Sequence, residues 1–213
     1  MIQTREIRTT GADYAPRLRE VGEGQDSRII EGYAIVFGRE SELLCDYWDN
    51  YREIIEQGAV DQALLDASDI KMTLWHNRER LLARRNNGEG TLEVGIDETG
   101  VWYRFAAPNT PDGDTALELV RRGDLGGSSF IYTTDESADV RYDKLEDGTI
   151  VRHVVKIGRI YDMTIASDPA YKDTSVNARE VNAQFEPKPK PADDAWRKDI
   201  DAMKREINNL ISL

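Results

Sequence analysis

Apolar residues along this chain recur mostly in short runs with a period of two, broken by clusters of Gly, Asn, Asp and Pro, the pattern of half-buried strands joined by turns. Residues 1–28 are polar, carry Gly11, Gly22 and Gly24, and read as an extended arm with room for an edge strand. Ile29 to Phe37 is the first clear strand, with Gly32 as a bulge or close approach and Gly38 as its end. Tyr47 to Ile55 reads as a second strand, Gly58 as a turn, and Asp61 to Ala67 as a short helix with Asp61 in its first turn. Ile70 to Trp75 alternates again, with Ile70, Met72 and Leu74 on one face, and delivers His76 at its end. Leu81–Arg85, Thr91–Asp97 and Val101–Ala106 predict a meander of antiparallel strands with turns at residues 86–90 and 97–100. After a turn at residues 109–113, a helix is predicted from Thr115 to Arg122, where Ala116, Leu117, Leu119 and Val120 share a face and Gly123 stops it. An apolar and aromatic strand follows to Tyr132, then a polar segment from Thr133 to Glu146 that reads as a long hairpin or a mobile stretch. Two more strands, Ile150–Val155 and Ile157–Ala166, end at Ser167-Asp168-Pro169.

Beyond Val181 the pattern changes. Residues 182–192 hold alternating prolines and predict a stiff linker. In residues 193–213 the positions Trp196, Ile200, Met203, Ile207 and Leu210 form one seam of a C-terminal amphipathic helix. The seam covers little more than two heptads, so such a helix needs a second copy or the body of the protein against it. The domain organisation read this way is an arm (1–28), a main domain (29–181), the linker and the helix.

Charge and composition narrow the chemistry. The 213 residues carry a net charge of −12, which argues against free nucleic acid as a partner. No apolar run approaches the roughly 18 residues needed to span a bilayer, and the N-terminus lacks the apolar core of a signal peptide, so a soluble, cytosolic protein without membrane contact is expected. The single cysteine, Cys45, excludes an internal disulfide framework. The two histidines, His76 and His153, have no metal-site spacing to it, so neither metal nor other cofactor is expected.

Two stretches carry candidate chemistry. Gly126-Gly127-Ser128-Ser129 leads into a buried strand, and glycines there let a substrate approach the backbone while a strand holds the hydroxyl firmly; small residues also fill ordinary turns. His76 sits at a strand end, where it is either a reactive group or a histidine packed under Trp75.

Taken with Tyr161-Asp162-Met163-Thr164, these pieces resemble the prohead serine proteases of tailed bacteriophages, enzymes that process the immature capsid. The matching motifs are Glu31-Gly32-Tyr33-Ala34 with Phe37-Gly38, residues 53–60, Trp75-His76-Asn77, residues 123–132 and residues 161–171, together covering roughly 29–178. The resemblance implies an α+β fold of the herpesvirus-protease-like type, a mostly antiparallel β-barrel with a few helices. It also implies serine endopeptidase activity inside the prohead, in the host cytoplasm, on the major capsid protein, scaffold segments and the chain itself. In the family pattern the histidine falls on His76, the nucleophile on Ser129 and the acidic partner on Asp162.

The chemistry asks for such a set: a serine hydroxyl needs a base to take its proton, and a carboxylate fixes the imidazole tautomer. Ser128 competes with Ser129, although strand alternation sends the two to opposite faces. His153 and Asp168 remain alternatives to Asp162. Amides of Gly126-Gly127 or a neighbouring loop are candidates for the oxyanion hole. The family places a glycine soon after the nucleophile, where this chain has Ile131 and Tyr132. A catalytically silent assembly or scaffolding protein is therefore the competing reading, and an esterase is a third. The latter lacks its Gly-x-Ser-x-Gly elbow.

Overall fold

The computed structural model describes residues 5–10, 14–19, 28–45 and 50–167. Asp168, the proline-rich linker and the C-terminal helix expected from the sequence lie outside the described residues. Strands and helices are numbered along the chain. The largest sheet contains β1 (Glu6–Thr10), β6 (Asp69–Leu74), β7 (Asn77–Asn86), β8 (Glu89–Gly90), β11 (Gly127–Thr133) and β14 (Arg159–Ala166), in the order β1-β11-β14-β6-β7-β8. A second holds β2 (Arg17–Leu18), β3 (Ile29–Val36), β9 (Leu92–Ile96) and β10 (Gly100–Ala106), ordered β2-β3-β10-β9. A third holds β4 (Leu44–Cys45), β5 (Asn50–Ile55), β12 (Val140–Lys144) and β13 (Ile150–Val154), ordered β12-β13-β5-β4. The α+β class and the mostly antiparallel pairing follow the expectation, with two parallel exceptions, β14 beside β6 and β13 beside β5.

The expected barrel is not formed. Among the described residues the strands make three separate hydrogen-bonded sheets, and the outer strands of the largest, β1 and β8, do not pair with each other. The expected meander is also divided. β7 turns back on β6, whereas β9 and β10 pair with each other and join β3. The chain changes sheets at Gly90, whose φ of 138° and close approach to Arg84 exclude a side chain: a Cβ there would lie 2.0 Å from the Arg84 carbonyl oxygen.

The two helices among the described residues are set by their ends. Asp61 caps α1 (Gln62–Ala67) from outside, its carboxylate accepting the Leu64 N–H at 2.7 Å. α2 (Pro111–Arg122) begins four residues before the expected start. Thr110 caps it, Pro111 occupies the first position where no N–H is needed, and Asp112 and Asp114 favour its positive end. Gly113, which read as part of a turn, is a packing glycine: a Cβ would sit 2.0 Å from the Pro108 carbonyl oxygen. Leu65, Met72, Tyr103, Phe105, Phe130 and Ile165 belong to one continuous apolar core, and no side chain of β1 joins it. β14 and β6, at the centre of the large sheet, are thereby fixed on their apolar side while their other face is left for polar groups.

Candidate active site

Register across the large sheet assembles a row of hydroxyls. Ser129 on β11 pairs with Thr164 on β14, and Thr164 pairs with Thr73 on β6. Paired residues share a face, so these three side chains stand in line although they are far apart in sequence. Asp162, two residues before Thr164, falls on the same face. All four are almost fully buried.

The hairpin between β6 and β7 brings His76 over this row. Leu74 pairs with Asn77, leaving Trp75 and His76 as a two-residue loop, and both have positive φ, 54° and 55°. A tight loop that follows the twist of its strands needs positive φ at both positions, which Asn and Gly usually supply. Two large side chains there cost on the order of 1–3 kcal/mol each. The surroundings offset this. The His76 N–H donates to Thr164 Oγ1 at 2.9 Å, whose own proton goes to the Thr73 carbonyl at 2.8 Å, and the Trp75 N–H reaches the Ile165 carbonyl at 3.3 Å. Arg80 lies over the Trp75 ring, 4.6 Å from its centroid, and is itself held by Asp112. The sequence expectation carried the strand through Trp75 and began the next at Leu81; the turn starts one residue earlier, and β7 begins at once with the polar residues 77–80.

So placed, His76 joins the other two groups. Its Nδ1 is 2.5 Å from Asp162 Oδ1 and its Nε2 is 2.8 Å from Ser129 Oγ. An ionised carboxylate only accepts, so Nδ1 carries the proton and Nε2 is left to accept from the serine. Thr73 Oγ1 lies 3.2 Å from Asp162 Oδ2, giving the buried carboxylate a second neighbour that can donate. The imidazole is partly exposed, with 21% of its side chain accessible, whereas Asp162 keeps 2%. A base that meets solvent, oriented by a carboxylate that does not, can move a proton to and from a serine hydroxyl.

The other sequence candidates are placed elsewhere. Ser128 faces away, into the core, where it shares a 2.7 Å hydrogen bond with the Tyr103 hydroxyl; burial raises the phenol's pKa above its ordinary value. Ser128→Ala is expected to leave peptide turnover within about twofold of wild type and to lower stability by roughly 1–3 kcal/mol through the stranded phenol, read by kinetics and urea unfolding in parallel. His153 is on β13 in the third sheet, its Nδ1 2.7 Å from Glu56 Oε1 and its Nε2 3.2 Å from Asp143 Oδ2. Both its ring nitrogens therefore have partners away from the hydroxyl row.

Behind Ser129 the large and third sheets are tied by a charged cluster. Arg8 makes paired contacts with Glu53, Nε to Oε1 at 2.7 Å and Nη2 to Oε2 at 2.8 Å. Arg152 contacts Glu53 as well, together with Glu6 at 2.8 Å and Glu136 at 2.6 Å. The Tyr132 hydroxyl is 3.2 Å from Glu53 Oε1. Burial would raise the Glu53 pKa, but Arg8 and Arg152 outweigh it and hold the carboxyl below its ordinary range.

Sequence reading missed Thr73 and Arg8, and gave Thr164 no role beyond its place in a motif. The signal for Thr73 was a hydroxyl between the apolar Met72 and Leu74 of a buried strand. For Arg8 the local signal is only its contact with Glu6 two residues away, at 2.6 Å; the partner that matters here, Glu53, is 45 residues away.

A family model described as caudovirus prohead serine protease matches residues 15–188. No curated protein and no solved structure matches the chain. Among the described residues, no helix is long and apolar enough to cross a membrane.

Proposed function

Because the chain belongs to the family of caudovirus prohead serine proteases, we propose that it is a serine endopeptidase in which Ser129 is the nucleophile, His76 the general base and Asp162 the group that orients His76. The observation that carries this reading is the continuous chain of short contacts, Ser129 Oγ to His76 Nε2 at 2.8 Å and His76 Nδ1 to Asp162 at 2.5 Å. His76 takes the hydroxyl proton as Ser129 Oγ bonds to the scissile carbonyl carbon, then gives it to the departing amine. Water, activated by the same imidazole, releases the acyl group. Asp162 stabilises the imidazolium formed in each half. Backbone N–H groups around Gly126 and Gly127 are the proposed oxyanion donors. A Cβ built on Gly126 has only the Gly123 carbonyl oxygen within 4 Å, at 3.9 Å, so a substrate has room to approach.

The substrates we propose are the major capsid protein, scaffold segments and the chain itself, cut within the immature capsid in the host cytoplasm. Loss of the peptides makes the step irreversible. The three sheets would then be an open variant of the herpesvirus-protease-like fold, and residues 193–213 a tether or self-association helix. The test is mass spectrometry of the capsid protein co-expressed with wild type or with Ser129→Ala. Defined fragments that vanish with the variant are expected. Fragments that persist would remove Ser129 from the nucleophile's role. Intact capsid protein with wild type would favour the silent assembly role.

A further inference from the structure

β1 lies where an extended peptide would have to lie to reach Ser129. It is the edge strand of the large sheet, antiparallel to β11, with Thr9 opposite Ser129 and Thr10 opposite Ser128. The Ser129 hydroxyl is 2.8 Å from the Arg8 carbonyl oxygen and 2.8 Å from His76 Nε2. A hydroxyl has one proton, so it cannot serve both acceptors at once. With β1 in place, a backbone carbonyl competes with the imidazole for the proton that a nucleophilic serine must give up.

β1 is also held differently from a core strand. None of its side chains enters the apolar core, and four of its five residues are only partly buried. Its anchors are backbone pairing and polar contacts. The Thr10 hydroxyl is within 3.0 Å of the Ser128 and Tyr33 carbonyls, and Arg8 makes its paired contacts with Glu53. A second extended segment with a basic residue at the right position could make the backbone pairing and the Glu53 contacts, whereas the threonine contact and the 2.8 Å pair between Glu6 and Arg152 belong to β1 alone. If β1 leaves, Glu53 keeps Arg152 as a partner, so the buried carboxylate is not stranded.

We propose that β1 is a resident occupant of a peptide-docking edge on β11. Substrates bind by replacing it, and Glu53 selects an Arg or Lys at the position Arg8 now holds, immediately before the bond to be cut. The inference rests on Ser129 being the nucleophile for its catalytic meaning, but docking is testable without turnover. A neutral residue at that position would leave Glu53 short of a cation on the β1 side, which disfavours it by charge as well as by lost hydrogen bonds.

The experiment uses the full chain with Ser129→Ala and Cys45→Ser, carrying Ile7→Cys and Ile131→Cys at facing positions of β1 and β11. Oxidation ties β1 down and reduction frees it. The probes are a fluorescein-labelled peptide with the sequence of residues 3–13 and the same peptide with alanine in place of Arg8, followed by fluorescence anisotropy. The reduced chain is expected to bind the arginine peptide at least about tenfold more tightly than the oxidised chain does, and at least about tenfold more tightly than it binds the alanine peptide. Equal binding to the oxidised and reduced chains, or no binding to either, would overturn the docking edge. Equal binding of the two peptides would overturn the role of Glu53, and this comparison needs no Glu53 variant. Failure of the wild-type chain to cut capsid protein would sink the peptidase reading and leave these binding results standing.

Discussion

His76→Ala is expected to lower kcat for peptide hydrolysis by about four to six orders of magnitude, with KM changed by less than about threefold. The loss is large because, among the described residues, His76 is the one group within reach of the Ser129 hydroxyl that can both take the proton and return it. The Arg8 carbonyl, at the same distance, can accept a hydrogen bond but cannot act as a base. Asp162→Asn tests the other side of the ring. An amide presents an N–H as readily as an oxygen to Nδ1, so the imidazole no longer holds its Nδ1 proton, and Nε2 becomes a donor toward the serine. A fall of about 10⁴ in kcat is expected, with the fold retained because Thr73 Oγ1 can still bond the side-chain oxygen. Single-turnover kinetics on a peptide carrying the capsid cleavage sequence, alongside near-ultraviolet circular dichroism, would separate lost chemistry from lost structure. A drop of less than tenfold in a folded His76→Ala chain would remove the histidine from the mechanism.

The legibility of this site differed from residue to residue, for physical reasons. His76, Ser129 and Asp162 were each visible as a residue type in a short motif, and the resemblance ordered them; the local pattern alone left Ser128, His153 and Asp168 in competition. Strand alternation anticipated that Ser128 and Ser129 would part, because period two is a property of the strand itself. The row formed by Ser129, Thr164 and Thr73 could not be anticipated. It depends on how β11, β14 and β6 are aligned, including a parallel pairing between residues 91 apart, and nothing in a strand's own pattern states its register with a distant partner. The turn at Trp75-His76 was hidden because its residues are not those that turns prefer. Local preference and fold disagree there, at a cost that the contacts of Thr164, Ile165 and Arg80 offset. β1 was legible only as room for an edge strand within a polar arm: a strand without apolar core contacts has no hydrophobic signature to fix its bounds or its partner. The end of α2 at Arg122 and its stop at Gly123 were legible, but its start was missed for the opposite reason, since Pro111 and Gly113 look like turn residues yet serve as a helix start and a close packing contact.

The cluster around Glu53 governs the largest expected change in stability. Glu53→Ala should destabilise the chain by about 3–5 kcal/mol in urea unfolding at neutral pH, because the buried Arg152 and the partly buried Arg8 would be left with too little compensating charge. Its desolvation has already been met in the wild type by two guanidinium groups and the Tyr132 hydroxyl, so the deletion exposes the unpaired cost of the partners rather than the net worth of the contacts. Two further measurements distinguish this from simple loss of packing. Replacing Glu53, Arg8 and Arg152 together by Leu, Met and Met removes the stranded guanidinium groups, leaving Glu6 and Glu136 to water that reaches 18% and 53% of their side chains, and should recover most of the loss, whereas a pure cavity effect would not be recovered by changing the arginines. The pH dependence has a definite sign. The folded-state pKa of Glu53 lies below its unfolded value, so its contribution is fully present above the ordinary carboxylate range and is lost as pH falls through the folded value. The stability gap between wild type and Glu53→Ala should therefore be constant near neutrality and narrow below about pH 4. A gap that widened on acidification would mean that Glu53 is protonated in the folded protein, and the two arginines would then need another counter-charge, for which Glu6 and Glu136, both in contact with Arg152, are the available groups.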